Sequence, residues 1–198
     1  MAFTDFQSID EVQKAYQIKF VEAAFLKTES MPPPECFVQD YQFNNTHFDI
    51  FTSEASRCEN VIYPILREVC KDFVHQYSLW SHKSISADST LSGTPDYIFA
   101  RRSALGKTVL EYPLILIVEA KQNDFTKGWG QCLAELVAAQ KLNGDDKQTV
   151  YGIVTDAELW QFGKLEGRLF TKNTTRVTID NLAEVFGTNH ALMALAAK

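Results

Sequence analysis

The chain has 198 residues, with 19 Lys+Arg against 25 Asp+Glu for a formal charge of −6, and 45% hydrophobic content. That length can bury one substantial α/β domain, and the ordinary composition excludes a disordered, collagenous or low-complexity chain. A pI near 5.2 argues against a protein that coats nucleic acid non-specifically, while leaving room for an enzyme with a local basic groove.

The N-terminus lacks the basic and apolar regions of a secretory signal, and the longest apolar run, Leu114 to Val118, is too short to cross a bilayer. A cytoplasmic chain is expected, with Cys36, Cys58, Cys70 and Cys132 as reduced thiols; no CxxC pair suggests structural zinc.

In chain order, the four-residue recurrence of Val12, Tyr16, Phe20 and Ala24 predicts a helix from about residue 5 to 26. Pro32, Pro33 and Pro34 require an extended stretch, since each proline restricts its predecessor. The aromatic, partly alternating segment 37–51 reads as a strand or extended arm. Ser53 is suited to N-cap a helix with Glu54 in its first turn. Behind it, the rows Val61–Ile65–Val69–Phe73 and Ile62–Leu66–Cys70–Val74 form one wide apolar face, interrupted at Pro64, where a kink or restart is expected.

Strands are predicted at 77–85, 97–102 and 114–121, then a helix at about 126–142 that is apolar on most sides. Short strands follow near 150–155, 158–162 and 168–171, with turns at Asp156-Ala157 and Leu165-Glu166-Gly167, and a closing helix spans 181–197. This order defines an α/β fold, a mixed sheet flanked by helices on both faces, with an N-terminal helical appendage. Residues 1–52 are expected to form a helix and extended arm packed on a core domain of residues 53–198.

The run Leu114-Ile115-Leu116-Ile117-Val118 needs cover on both faces and reads as a central strand that ends in Glu119-Ala120-Lys121. Residues i and i+2 share a strand face, so Glu119 and Lys121 point the same way. Asp96 opens the preceding strand. Facing residues of an antiparallel hairpin have a constant index sum, and Asp96 opposite Glu119 centres the turn at 107.5, within about two residues of Gly106-Lys107. Spacing thus gathers Asp96, Glu119 and Lys121 at one end of the central sheet. Two carboxylates offer hard oxygen ligands to Mg²⁺ or Mn²⁺, and a lysine beside them can orient or deprotonate a water or neutralise a phosphate transition state.

Pro95-Asp96 followed by Glu119-Ala120-Lys121 at the end of an apolar strand resembles the PD-(D/E)XK nuclease superfamily, with its restriction-endonuclease-like fold. The late segments Tyr151–Thr155 and Leu159–Phe162 are similar to those of nuclease domains in type I restriction motor subunits, and the resemblance spans roughly residues 53–172. It implies that Asp96, Glu119 and the Ala120 carbonyl bind Mg²⁺ or Mn²⁺, that Lys121 assists the attacking water, and that Glu54 is the additional helix glutamate. Glu59 and Glu68 are weaker candidates for that place, and Gln131 fits the glutamine of the following helix. The implied activity is Mg²⁺-dependent phosphodiester hydrolysis of DNA, with DNA as partner and a homodimer or protein partner engaged through the N-terminal segment. The alternative is a non-catalytic interaction or DNA-binding module that keeps the nuclease fold. Arg101, Arg102, Lys107 and Lys127 are candidates for a phosphate-binding rim, whereas His47, His75, His82 and His190 show no metal-ligand spacing and read as surface or satisfied residues.

Overall fold

A computed structural model describes residues 2–198. Its elements in chain order are α1 (Ile9–Tyr16), β1 (Lys19–Ala23), α2 (Glu35–His47), α3 (Glu54–Arg57), a π-helical turn (Cys58–Ile62) and α4 (Tyr63–Lys71). Then follow β2 (Tyr77–Ser81), β3 (Ile85–Ser86), β4 (Ser92–Gly93), β5 (Tyr97–Arg102), β6 (Leu110–Ala120) and α5 (Phe125–Asn143). The chain ends with β7 (Val150–Thr155), β8 (Leu159–Glu166), β9 (Leu169–Asn173), β10 (Val177–Thr178) and α6 (Leu182–Ala196). Eight strands form one mixed sheet in the order β1-β9-β8-β7-β6-β5-β2, with β10 added to β8; β3 and β4 form a separate small hairpin.

Helices cover both faces of this sheet, as its two-sided apolar strands require. On one face Leu116 and Val118 of β6 pack with Ile62, Ile65 and Leu66 and with Val185 and Phe186 of α6. On the other, Ile117 joins Leu133 and Leu136 of α5 and Val12 of α1. β6 is central, antiparallel to β5 and parallel to β7, with α5 as the crossover.

The hairpin register is the one expected. Tyr97, Ile98 and Phe99 face Val118, Ile117 and Leu116, a constant sum of 215 that Asp96 and Glu119 share. Beyond Phe99 two register shifts bring Arg102 opposite Leu110, a sum of 212, so the turn centres on residue 106. Gly106 occupies it with φ +107°, a conformation that glycine adopts without steric penalty.

The Ser53 hydroxyl caps α3, accepting from the Ser56 N–H. At Pro64 the backbone stays helical: a π-helical turn ends just before it and runs directly into α4, whose first turn holds the proline. Asp124 and Asn181 cap α5 and α6.

Two N-terminal expectations are corrected. The helix predicted for residues 5–26 ends at Tyr16, because Gln17 turns left-handed (φ +56°) and residues 19–23 pair in parallel with β9. The β-rich Lys19-Phe20-Val21 sequence finds a strand partner there, and tertiary pairing overrides the helical period. The segment 37–51, read as extended, is helical through His47. Pro34 precedes that helix, and Phe37 and Tyr41, one turn apart, stack at 5.9 Å while Phe37 meets Phe186 edge-on at 4.8 Å. The predicted strand 77–85 stops at Ser81, where His82 turns left-handed (φ +47°). The extended proline stretch runs against α6, and a Cβ on Gly187 would meet the Glu29 carbonyl oxygen at 2.5 Å. Residues before 53 therefore supply an edge strand of the sheet, with α1 packed on α5 and α2 against the π-helical turn and α6.

Candidate functional site

The site lies where β5 begins and β6 ends. Asp96 precedes β5, and its Oδ2 accepts the Ala120 N–H at 2.7 Å, fixing the carboxylate across the hairpin. Glu119 and Lys121 project on the face covered by α5, where the Lys121 ammonium meets Glu119 Oε1 at 2.6 Å. Room for the lysine stem comes from Gly128 of α5, where a Cβ would lie 3.0 Å from Lys121 Cγ and 2.7 Å from Val154 Cγ1.

Behind this pair α5 presents Gln131 and, one turn on, Glu135. Both are buried, and Gln131 Nε2 donates to Glu135 Oε1 at 3.4 Å. The Glu135 carboxyl lies close enough to that of Glu119 for the two to interact electrostatically. Glu119 Oε2, Glu135 Oε2 and Gln131 Oε1 are buried with no hydrogen-bond partner among the described residues. Sequence reasoning placed Gln131 but missed Glu135. The available signal was a lone carboxylate, four residues after Gln131, in a helix apolar on most sides.

Burial sets the electrostatics. It raises Asp96, against the lowering effect of the Ala120 N–H. Burial, then repulsion from Asp96, pushes Glu119 up to about 8, with Lys121 opposing the rise. Burial and the neighbouring carboxylates hold Glu135 well above the usual carboxylate range. Burial works to lower Lys121, but the Glu119 carboxylate outweighs it and the ammonium is stabilised. Burial and mutual repulsion thus favour the protonated form within the Glu119–Glu135 pair.

Asp96 opens onto a cleft of about 420 Å³ lined also by Glu54, Glu59, Cys58, Tyr63, His82 and Tyr97. Glu54 is thus gathered with Asp96 and acts electrostatically on both Asp96 and Lys121. Glu59 lines the same cleft. Glu68 does not: it is buried on α4, held by Arg67 and Lys71. His82 is exposed, as expected, and also lines this cleft. Its N–H donates to the Asp96 carbonyl at 2.8 Å, and its Nδ1 lies 3.5 Å from Asp96 Oδ1. The β2–β5 register, with Ser81 opposite Tyr97, puts His82 opposite Asp96; no local spacing signals that.

The expected cationic rim is largely elsewhere. Arg101 and Arg102 end β5, at the far end of the strand from Asp96, where Arg102 donates to the Val74 carbonyl. Lys107 lies in the adjoining turn. Only Lys127, half-buried in the first turn of α5, follows the Lys121 end of β6. Trp129 is buried, its indole N–H donating to Gln161 at 2.8 Å. All four cysteines are free.

Among the described residues no three His, Cys, Asp or Glu side chains are grouped as ligands of one ion. The donors that suit a hard divalent cation are the carboxylate oxygens of Asp96 and Glu119, one of which, Glu119 Oε2, is buried without a cationic partner. No described helix is long and apolar enough to cross a membrane.

No family model matches the chain, and no curated protein matches it in sequence. Among solved structures it is similar to the type IIG restriction endonuclease BpuSI, with 15% identity over 68% of this chain and a TM-score of 0.44. It is also similar to a chain of the DrdV–DNA complex, with 15% identity over 81% of this chain and a TM-score of 0.42. The chain spans 15% and 13% of those two chains.

Proposed function

We propose that the protein is a metal-dependent nuclease of the PD-(D/E)XK type, hydrolysing phosphodiester bonds in DNA. The observation that carries this reading is the convergence of Asp96, Glu119 and Lys121: Asp96 is tied to the Ala120 N–H at 2.7 Å, and Lys121 to Glu119 at 2.6 Å, at one end of a central strand. Asp96 and Glu119 would hold Mg²⁺ or Mn²⁺, together with the Ala120 carbonyl. That carbonyl lies on the same strand edge as the N–H bonded to Asp96, since both backbone groups of a strand residue point to one side.

The bound cation supplies charge stabilisation for the phosphate and acidifies a water. Lys121 contributes a fixed ammonium, 16% exposed, that orients the attacking water and offsets charge developing on the phosphate. Glu54 adds negative charge on the open side of Asp96. Gln131 and Glu135 support Glu119 from behind. The clustering of raised carboxyl pKa values around one lysine supports a functional rather than a purely structural role.

The test is cleavage of plasmid and linear DNA with Mg²⁺ or Mn²⁺ by the wild-type chain and by Asp96→Ala and Lys121→Ala. Loss of cleavage in both variants, with unchanged circular dichroism, is expected. Cleavage surviving both substitutions overturns the assignment. A binding module that keeps this fold would instead bind DNA or a protein partner and leave it uncut.

A further inference from the structure

The cleft in front of Asp96 has an aromatic wall that the hydrolytic chemistry does not use. Tyr97 is buried and holds two more exposed rings against its own: Tyr63 stacks on it at 6.0 Å with planes 26° apart, and His82 lies at 5.9 Å. Tyr63 is 38% exposed and the His82 side chain 58% exposed. His82 holds a left-handed backbone conformation (φ +47°) that a residue with a side chain rarely adopts, fixed by its N–H bond to Asp96.

The remaining lining is acidic, with Glu54, Glu59 and Asp96 and no lysine or arginine. Such a surface repels phosphate groups. It accepts an uncharged aromatic ring, and its carboxylates suit the exocyclic amino groups of cytosine or adenine. The volume of about 420 Å³ lies within the ~300–1,000 Å³ of small-ligand pockets.

We infer that this cleft is a nucleobase slot, in which an unpaired base beside the scissile phosphate stacks on Tyr63 and His82, so that the substrate is single-stranded DNA or an unpaired strand end. A base held in a duplex stack cannot present its face to these rings, whereas single-strand binders commonly stack bases on aromatic side chains. The inference rests on the nuclease reading for what the slot serves, but the slot itself is measured by binding.

The experiment uses the full chain with a 5′-fluorescein 12-nucleotide single strand and the matching blunt duplex. Affinity is measured by anisotropy in EDTA, where no cleavage occurs, and stacking by quenching of 2-aminopurine placed in the strand. The single strand is expected to bind more tightly than the duplex and to quench. Tyr63→Ala is expected to weaken single-strand binding about 5- to 150-fold, the range of one lost base stack, and to abolish the quench. Tyr63→Trp restores both, which a merely structural role would not do. Equal affinity for strand and duplex, or Tyr63→Ala binding and quenching like wild type, overturns the slot. Metal-dependent cleavage alongside that result leaves the nuclease reading standing. Conversely, a Tyr63-dependent slot in a chain that never cleaves DNA removes the nuclease reading alone.

Discussion

The Ala120 N–H donates to Asp96 Oδ2 at 2.7 Å, so a side chain at the start of β5 completes the backbone ladder at the end of β6. The same carboxylate therefore has a structural task and a proposed chemical one, and two substitutions separate them. Asp96→Asn keeps an acceptor oxygen for Ala120 but loses the charge. Asp96→Ala loses both and leaves a backbone N–H without its partner, a loss of about 1–3 kcal/mol. Both variants are expected to be inactive, with only Asp96→Ala showing the lower stability by urea denaturation.

A second prediction concerns pH. Glu135 is fully buried, and its carboxyl sits well above the usual range. A raised acid pKa means that the folded state keeps a proton which the unfolded chain releases near 4.5. Between that value and about 8, where Glu119 titrates, the folded state binds more protons and stability falls as pH rises. Glu135→Gln is neutral at every pH. Its Tm relative to wild type is expected to improve steadily from pH 5 to pH 8 in parallel thermal melts. A difference that stays constant means that the pair is ionised in the folded protein.

Gly128 sets how closely α5 approaches the strands. An alanine there must displace Val154 Cγ1, 2.7 Å from the new Cβ, or Lys121 Cγ at 3.0 Å. Gly128→Ala is expected to destabilise by about 1–3 kcal/mol, as overpacked sites do, and to lower cleavage further than the stability loss explains, because Lys121 shifts. Denaturant melts and kcat on one DNA substrate check this.

Asn173 tests the packing of the N-terminal segment. Its Oδ1 accepts the N–H groups of Phe25 and Leu26 at 3.0 Å each, and its Nδ2 donates to the carbonyls of Leu26 and Thr175 at 3.1 and 3.0 Å. Asn173→Ala leaves the buried Leu26 N–H without this acceptor, at about 1–3 kcal/mol for a buried group left unsatisfied, while the Phe25 N–H keeps its bond to the Ala23 carbonyl. Limited proteolysis is expected to cut first within residues 24–34, with little change in catalytic rate on DNA.

Much of the architecture was legible because local rules decide it. Ser53, Pro64, the apolar rows of 61–74 and the apolar run of β6 each carry a signal within a few residues. The site's core was legible for the same reason. Alternation put Glu119 and Lys121 on one face, and the hairpin sum put Asp96 opposite Glu119, a register the strands keep through Phe99. The N-terminal third misled because its signals are mixed. Lys19–Ala23 continues a helical period but is drawn into the sheet by β9, and Phe37 and Tyr41 fit either period until Phe186 supplies a partner.

The amino-acid order alone specified the central hairpin, the carboxylate–lysine grouping at its end and the helices that sandwich it, because periodicity and pairing act over short distances. Tertiary structure decided that Glu135 is buried behind Glu119 and that His82 and Tyr63 line the cleft. Those outcomes depend on which strands become neighbours and how closely α5 sits on them, and no local spacing encodes such long-range contacts.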